Sequence, residues 1–235
     1  MQGDTQIGIP ARLMAEPARA AMLTALVGGR SLPAGELATI ARVSPSTASN
    51  HLSQLVAGGM LTVRTLGRHR YFELATAEIA AAIEALQAIA PREPVSGYTQ
   101  SRTALRLGHA RTCYDHIAGA VALQLADALV ATGTIAPLVA ASEGTLLDLS
   151  TPVAELLGLG TFEPRGRRPA VRGCLDWTER RPHLAGRLGR HLLAAFLDRG
   201  WATQTVGDRA LRITDAGRSI LDTLGSSGVS PSSPD

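Results

Sequence analysis

The sequence predicts a mainly α protein with small β-hairpin wings, folded as two domains, and three observations predict it. Apolar residues recur at helical spacing in segments that close on glycine. Short β-prone runs flank Gly67, and a second such pair flanks Gly207. A polar stretch with two prolines and a glycine, residues 91–100, separates the two halves.

The elements follow in order. Residues 1–8 read as a loose start. In "EPARAAMLTALVGG" Pro17 stands where a first helical turn tolerates it, and Gly28-Gly29 suits the helix end. "SLPAGELATIARV" reads as a short helix over 33–41, with Leu37, Ile40 and Ala41 toward a core and a tight turn at Arg42-Val43. Ser44 is an N-cap and Pro45 the first position of the next helix, which runs to Gly58-Gly59. Ala48, Leu52, Leu55 and Val56 fall on one stripe of that helix, while Ser46, Thr47, Asn50 and Gln54 fall opposite. "MLTVRTLGRHRYFEL" reads as a hairpin of 61–65 and 69–74, with Arg64, Arg68, His69 and Arg70 at or near its tip. A helix over 76–89 completes a first domain, 1–90.

The second domain, 101–224, opens with a helix over 101–132, bent at Gly108 or Gly119. It closes on a segment, 180–224, that repeats the earlier plan of helix, glycine, hairpin and helix. Gly200-Trp201 stands where Gly59-Met60 stood, and the helix of this repeat is read over 182–199. The tail, 225–235, is a low-complexity stretch that buries too little to order.

Helix, turn, polar-fronted helix and basic hairpin in that order make an N-terminal winged helix-turn-helix, and the second domain reads as helical and winged-helix-like. In such a fold the second helix of the pair enters the DNA major groove. Ser, Thr and Asn at its front can bond base edges or phosphates, so Ser44, Ser46, Thr47, Ser49, Asn50, His51 and Gln54 are reader candidates. Arg64, Arg68, His69 and Arg70 on the wing are placed to reach phosphates or the minor groove. The 182–199 helix puts Leu184, Leu188, Leu192 and Ala195 on one stripe and His183, Arg187 and Arg190 on another, a surface that reads as a solvated face, an interface or a second DNA contact.

The net charge is only +3, yet all 23 basic residues are arginine, which suits a polyanionic partner. Two cysteines in 235 residues exclude a secreted disulfide framework. The longest apolar stretch is broken by Gln124 and Asp127, and the start shows no basic flank followed by an apolar run. A soluble, cytoplasmic protein without membrane partners is the expectation.

Glu16-Pro17-Ala18-Arg19, Glu36-Leu37-Ala38, "SPSTASNHLSQLVAGGML" and "GRHRYFEL" resemble the ArsR family of bacterial repressors, over residues 11–90. The resemblance implies a homodimer on a pseudo-palindromic operator of double-stranded DNA, released by an inducer that is often a soft metal or metalloid. It also implies metal ligands on the helix before the reader or on the helix after the wing. Here those helices read Leu37-Ala38-Thr39-Ile40-Ala41 and "TAEIAAAIEALQAI", without Cys or His, so no family-type metal site is expected. Some such regulators carry a methyltransferase. The one glycine-rich candidate, Gly158-Leu159-Gly160, lacks the third glycine and the preceding strand, so no enzyme is expected.

Both cysteines lie in the second domain. "RTCYDHIAG" and "RGCLDWTERRPHLAG" share a Cys, an Asp, a His and a closing Ile/Leu-Ala-Gly, and are read as one site. Cys113 and His116, expected on one helix face, with Cys174 and His183, offer the donor set of zinc without a known finger spacing. The same cysteines, near arginines and histidines, suit a thiol switch. Tyr114, His116, Trp177 and Arg181 suit an organic effector pocket for a small-molecule inducer. The plain alternative is that the cysteines are small buried hydrophobes. These readings stay open at the level of sequence, and no cofactor is fixed by it.

Overall fold

A computed structural model of the chain describes residues 5–66, 69–91, 98–205 and 208–226. It divides into two compact units, Met1–Ile83 and Glu84–Asp235.

The first unit begins with α1 (Gly8–Ala15), a helix that starts where the loose stretch was expected to end and that the residue pattern did not predict; no residue of it is buried. In α2 (Pro17–Leu26) the Glu16 carboxylate caps the first turn by accepting from the Arg19 N–H. A short strand, β1 (Leu32–Pro33), leads into α3 (Ala34–Ala41), which ends on Arg42 in the left-handed region at φ 55°. Leu37 and Ala38 face the core, whereas Ile40, expected there, is 38% exposed. Helix α4 (Pro45–Ala57) follows, capped by Ser44, and then β2 (Leu61–Leu66), β3 (His69–Leu74) and α5 (Ala77–Ile89). The strands form one antiparallel sheet in the order β1-β3-β2. Leu61 pairs with Leu74, and Leu66 with His69. The core of this unit is Met22, Leu23, Leu26, Leu37, Ala48, Leu52, Leu55 and Phe72, so α4 is held by its apolar stripe.

The second unit departs from the expected single helix over 101–132. Helix α6 (Tyr98–His109), which starts inside the stretch read as a linker, gives way to a hairpin, β4 (Arg111–Cys113) and β5 (His116–Ala118). Tyr114 reverses the chain at φ 53°, which a continuous helix cannot contain. Thr112 and Ile117 are β-branched, and the strand is anchored by tertiary pairing, the Thr112 N–H donating to the Arg209 carbonyl at 2.8 Å. Gly119, at φ 91°, then starts α7 (Ala120–Ala131).

Next come β6 (Glu143–Gly144), the short α8 (Pro152–Leu156), a 3-10 turn (Leu159–Thr161), β7 (Val171–Leu175) and β8 (Pro182–Ala185). The expected helix over 182–199 begins only at Gly186: Pro182 opens a strand, a position proline tolerates, and α9 spans Gly186–Asp198. His183 and Leu184 are therefore buried strand residues rather than part of a helix face. Helix α9, β9 (Ala202–Gln204), β10 (Leu211–Ile213) and α10 (Asp215–Ser226) then follow the helix, glycine, hairpin, helix order of the first unit. Gly59 and Gly200 both hold left-handed backbone, at φ 71° and 66°, directly before each hairpin. The core gathers Leu125, Leu129, Leu157, Val171, Leu188, Leu192 and Phe196. Among the described residues no helix is long and apolar enough to cross a membrane.

Candidate nucleic-acid interface and a Cys-His cluster

Burial of Ala48, Leu52 and Leu55 turns the other side of α4 outward, and Ser46, Thr47, Ser49, Asn50 and Gln54 are all exposed there. The Ser44 hydroxyl accepts from the Thr47 N–H at 3.2 Å and lies 2.9 and 2.8 Å from the hydroxyls of Ser46 and Thr47. α4 contains no acidic residue, so its N-terminal end offers the Ser46 N–H and the hydroxyls of Ser44, Ser46 and Thr47 without a repelling charge within the helix. Gln54 donates to the Asn50 side-chain oxygen at 3.2 Å and accepts from Arg19 at 2.9 Å. Arg19 also donates to the carbonyls of Leu13 and Arg12, and thereby ties α1, α2 and α4 together. Arg19 belongs to the Glu16-Pro17-Ala18-Arg19 stretch, but its role in joining these helices was not read from the residue pattern. His51 turns inward, its Nδ1 3.7 Å from the Glu16 carboxylate.

On the wing, Arg64 is 77% exposed and pairs with Glu73 at 3.1 Å, and Arg70 is exposed beside the Phe72 ring. The His69 backbone pairs with Leu66, and its side chain lies outside the described residues, as does Arg68.

The second unit brings Cys113, His116, Cys174 and His183 together, with all four donor atoms within 4.8 Å of one another. The pairs are formed across hairpins: Cys113 stands opposite His116 in β4–β5, and Cys174 opposite His183 in β7–β8. The two sulfurs are 3.6 Å apart and the two Nε2 atoms 3.1 Å apart. Each Nδ1 faces a carboxylate of its own hairpin, His116 toward Asp115 at 3.5 Å and His183 toward Asp176 at 3.6 Å. Arg168 donates to Asp115 at 2.6 Å, and Asp176 accepts from Arg111, the Gly119 N–H and Thr178. Gly189 of α9 lets His116 approach: a Cβ there would meet the Leu184 carbonyl at 2.7 Å and His116 Cβ at 3.1 Å.

A fifth member was not visible in the sequence. Glu84 of α5 is buried, with Oε2 at 2.5 Å from the Cys113 sulfur and 3.3 Å from that of Cys174. Burial pushes its carboxyl up to about 7, and the charge on Cys174 acts the same way. Burial likewise raises the Cys113 thiol well above its ordinary value. The hydrogen bond with Cys113, aided by His116 and His183 against the effect of burial, pulls Cys174 far below it. Burial opposes charge on both imidazoles; Asp115 and Cys174 nevertheless hold His116 up at about 9, while His183 is lowered.

The other effector candidates have different neighbours. Trp177 stacks under the Arg111 guanidinium and lines a cavity of about 880 Å³ with Ala104, Leu105 and His109. Tyr114 lies beside Arg168, and Arg181 pairs with Asp127 on the surface at 2.6 Å. Gly158-Leu159-Gly160 follows the five-residue α8 rather than a strand.

The helix-turn-helix domain family matches residues 14–64, which span α2, α3, α4 and the start of the wing. The HTH-type transcriptional regulator YdfF of Bacillus subtilis (strain 168) is 40% identical over 211 residues, covering 88% of this chain and 91% of that protein. Reduced HlyU from Vibrio cholerae N16961 is 27% identical, covering 36% of this chain and 88% of its own, with a TM-score of 0.34. The cadmium metal-sensor CMTR from Mycobacterium tuberculosis is 27% identical over 39% of this chain and 99% of its own, with a TM-score of 0.31.

Proposed function

Because the chain belongs to the ArsR-like HTH-type transcriptional regulators, with a winged helix-turn-helix DNA-binding domain, we propose that it acts as an effector-responsive repressor. In this reading it is a cytoplasmic, non-enzymatic homodimer that binds a pseudo-palindromic operator, and its second unit receives the signal. The observation that carries the DNA reading is the outward face of α4: five polar side chains, an N-cap and no acid, beside a wing with exposed arginines.

Asn50 is placed to bond adenine bidentately, and Ser46 and Thr47 to meet base edges or phosphates near the helix start. Ser44 and Ser49 add hydroxyls, Gln54 orients Asn50, and His51 steadies the helix against Glu16. Arg64, Arg68, His69 and Arg70 serve the backbone or minor groove. A dimer would present two reader helices about one DNA turn apart, roughly 34 Å.

The test is selection of bound duplexes from a random pool, followed by titration at several salt concentrations. The expected result is a two-fold symmetric site bound by a dimer, with affinity falling steeply as salt rises. Arg68→Ala should weaken binding to every duplex and flatten the salt slope by about one unit. Recovery of no preferred sequence, or an unchanged slope for Arg68→Ala, would overturn the assignment.

A further inference from the structure

Opposite residues of an antiparallel ladder stand side by side on one face, so each of the two hairpins presents one sulfur and one imidazole nitrogen as a pair. The pairs converge. A tetrahedral Zn²⁺, at ~2.3 Å from sulfur and ~2.0 Å from nitrogen, separates its two sulfurs by ~3.8 Å and its two nitrogens by ~3.3 Å. The observed separations are 3.6 and 3.1 Å.

The surroundings are those of metal-ligating histidines. A ligating imidazole characteristically turns its second nitrogen to a carboxylate, which fixes the tautomer and leaves the other lone pair for the metal. Asp115 and Asp176 lie on that side of His116 and His183, 3.5 and 3.6 Å from the Nδ1 atoms, within ion-pair distance but without a hydrogen bond to either nitrogen. The two Nε2 atoms face each other at 3.1 Å, a separation that calls for a proton or a metal cation between them. The two sulfurs alongside favour the metal. His116 and His183 are 5% and 0% exposed, Cys113 1%, and the aspartates are themselves anchored by arginines. Among the described residues this is the one group of three or more such donors that converges.

We propose that Cys113, His116, Cys174 and His183 form a tetrahedral site for a divalent transition metal of the zinc class. The site is closed: four protein donors leave no position for water or substrate, which fits a structural or regulatory ion rather than a hydrolytic one. It is built wholly within the second unit, away from the helix positions at which ArsR-like metal sensors commonly carry their ligands, and it rests on the cluster alone, not on the DNA reading. Glu84 approaches both sulfurs from α5, the helix that follows the wing, so occupancy of the site changes what that helix faces.

The experiment uses the full chain, purified with a reductant and without chelator. Metal content is measured by plasma emission; the protein is then stripped and titrated with cobalt chloride and zinc chloride. The expected result is one Zn²⁺ per chain. Co²⁺ should give the intense visible bands of a tetrahedral complex with a sulfur-to-cobalt charge-transfer band, bleached by Zn²⁺. Cys174→Ser should weaken Zn²⁺ binding more than ~100-fold, beyond what loss of an outer-shell partner causes. Should that variant fail to fold, protection of both wild-type thiols from iodoacetamide by Zn²⁺ reads the same property. A pale octahedral Co²⁺ spectrum without charge transfer would overturn the proposal. So would a Cys113–Cys174 disulfide that, once reduced, leaves a protein that takes up no metal. Operator binding is measured on the same samples, so a DNA failure with an intact metal spectrum counts against the DNA reading alone.

Discussion

Arg111 and Asp176 form an ion pair at 3.0 Å with side chains 1% and 0% exposed, one from β4 and the other just after β7. Removing one member of such a pair strands the other charge away from water. Asp176 also accepts from the Gly119 N–H at 2.7 Å, from the hydroxyl and the N–H of Thr178 and from the Glu179 N–H, so with Arg111 its loss orphans five donors. Asp176→Ala should therefore cost about 3–5 kcal/mol, read by chemical denaturation of the full chain. A cost under about 1 kcal/mol would mean that water replaces the carboxylate, against the burial described.

Asp115 is the gentler probe of the cluster, since it is partly exposed and its partner Arg168 is 39% exposed. Asp115→Asn keeps the shape and removes the charge facing His116 Nδ1. Zn²⁺ affinity should fall about 10–100-fold, measured by competition with a chromophoric chelator, while the far-ultraviolet circular dichroism stays as in the wild type.

Gly173 precedes Cys174 and lies against Val139, whose carbonyl oxygen a Cβ at position 173 would strike. Backbone cannot swing aside as a flexible side chain does. Gly173→Ala should push β7 off that contact, cost about 1–3 kcal/mol and weaken Zn²⁺ uptake together with stability. Unchanged melting would show that β7 has room that the close approach denies.

Asn50 and Arg64 separate reading from holding. Asn50→Ala should remove about 1–3 kcal/mol of discrimination between the selected operator and a variant at the contacted base pair. Arg64→Ala should weaken both duplexes equally and lower the salt slope by about one. Parallel loss on both duplexes for Asn50→Ala would move Asn50 from base contact to backbone contact.

Ser44 accepts the Thr47 N–H at the start of α4. Ser44→Ala should cost about 1 kcal/mol and Ser44→Gly only a few tenths, a ranking that thermal denaturation of the two variants checks.

How much of this was legible in the sequence depends on whether the deciding interaction is local. Helix α4 was readable to its ends because Ser44, Pro45 and Gly58-Gly59 are boundary signals that act within one turn, and its apolar stripe is periodic. The β4–β5 hairpin was not. Its six residues sit between apolar helical runs, and strand pairing with Arg209 and Ala210, about a hundred positions away, is what sets it. The kinship of the two Cys-His segments was visible as repeated letters, whereas their facing pairs required the ladders. Glu84 gave no signal: an acid in an alanine-rich helix reads as a solvated position, and only the packing around it shows that it is buried.

The two Cys-His hairpins also have a consequence for how the protein responds to dilution. Each contributes Cys, Asp two residues later, His, and a closing glycine at positive φ, Gly119 at 91° and Gly186 at 80°, that begins a helix. The helices are exchanged, α7 packing on β8 and α9 on β5. Two hairpins that a pair of subunits could each have supplied are here joined in a single polypeptide. A pocket shared between separate protomers empties as they part, because its donors are brought together by mass action. Here the covalent chain keeps the halves together, so the four donors meet equally well in one copy per cell and in a concentrated solution.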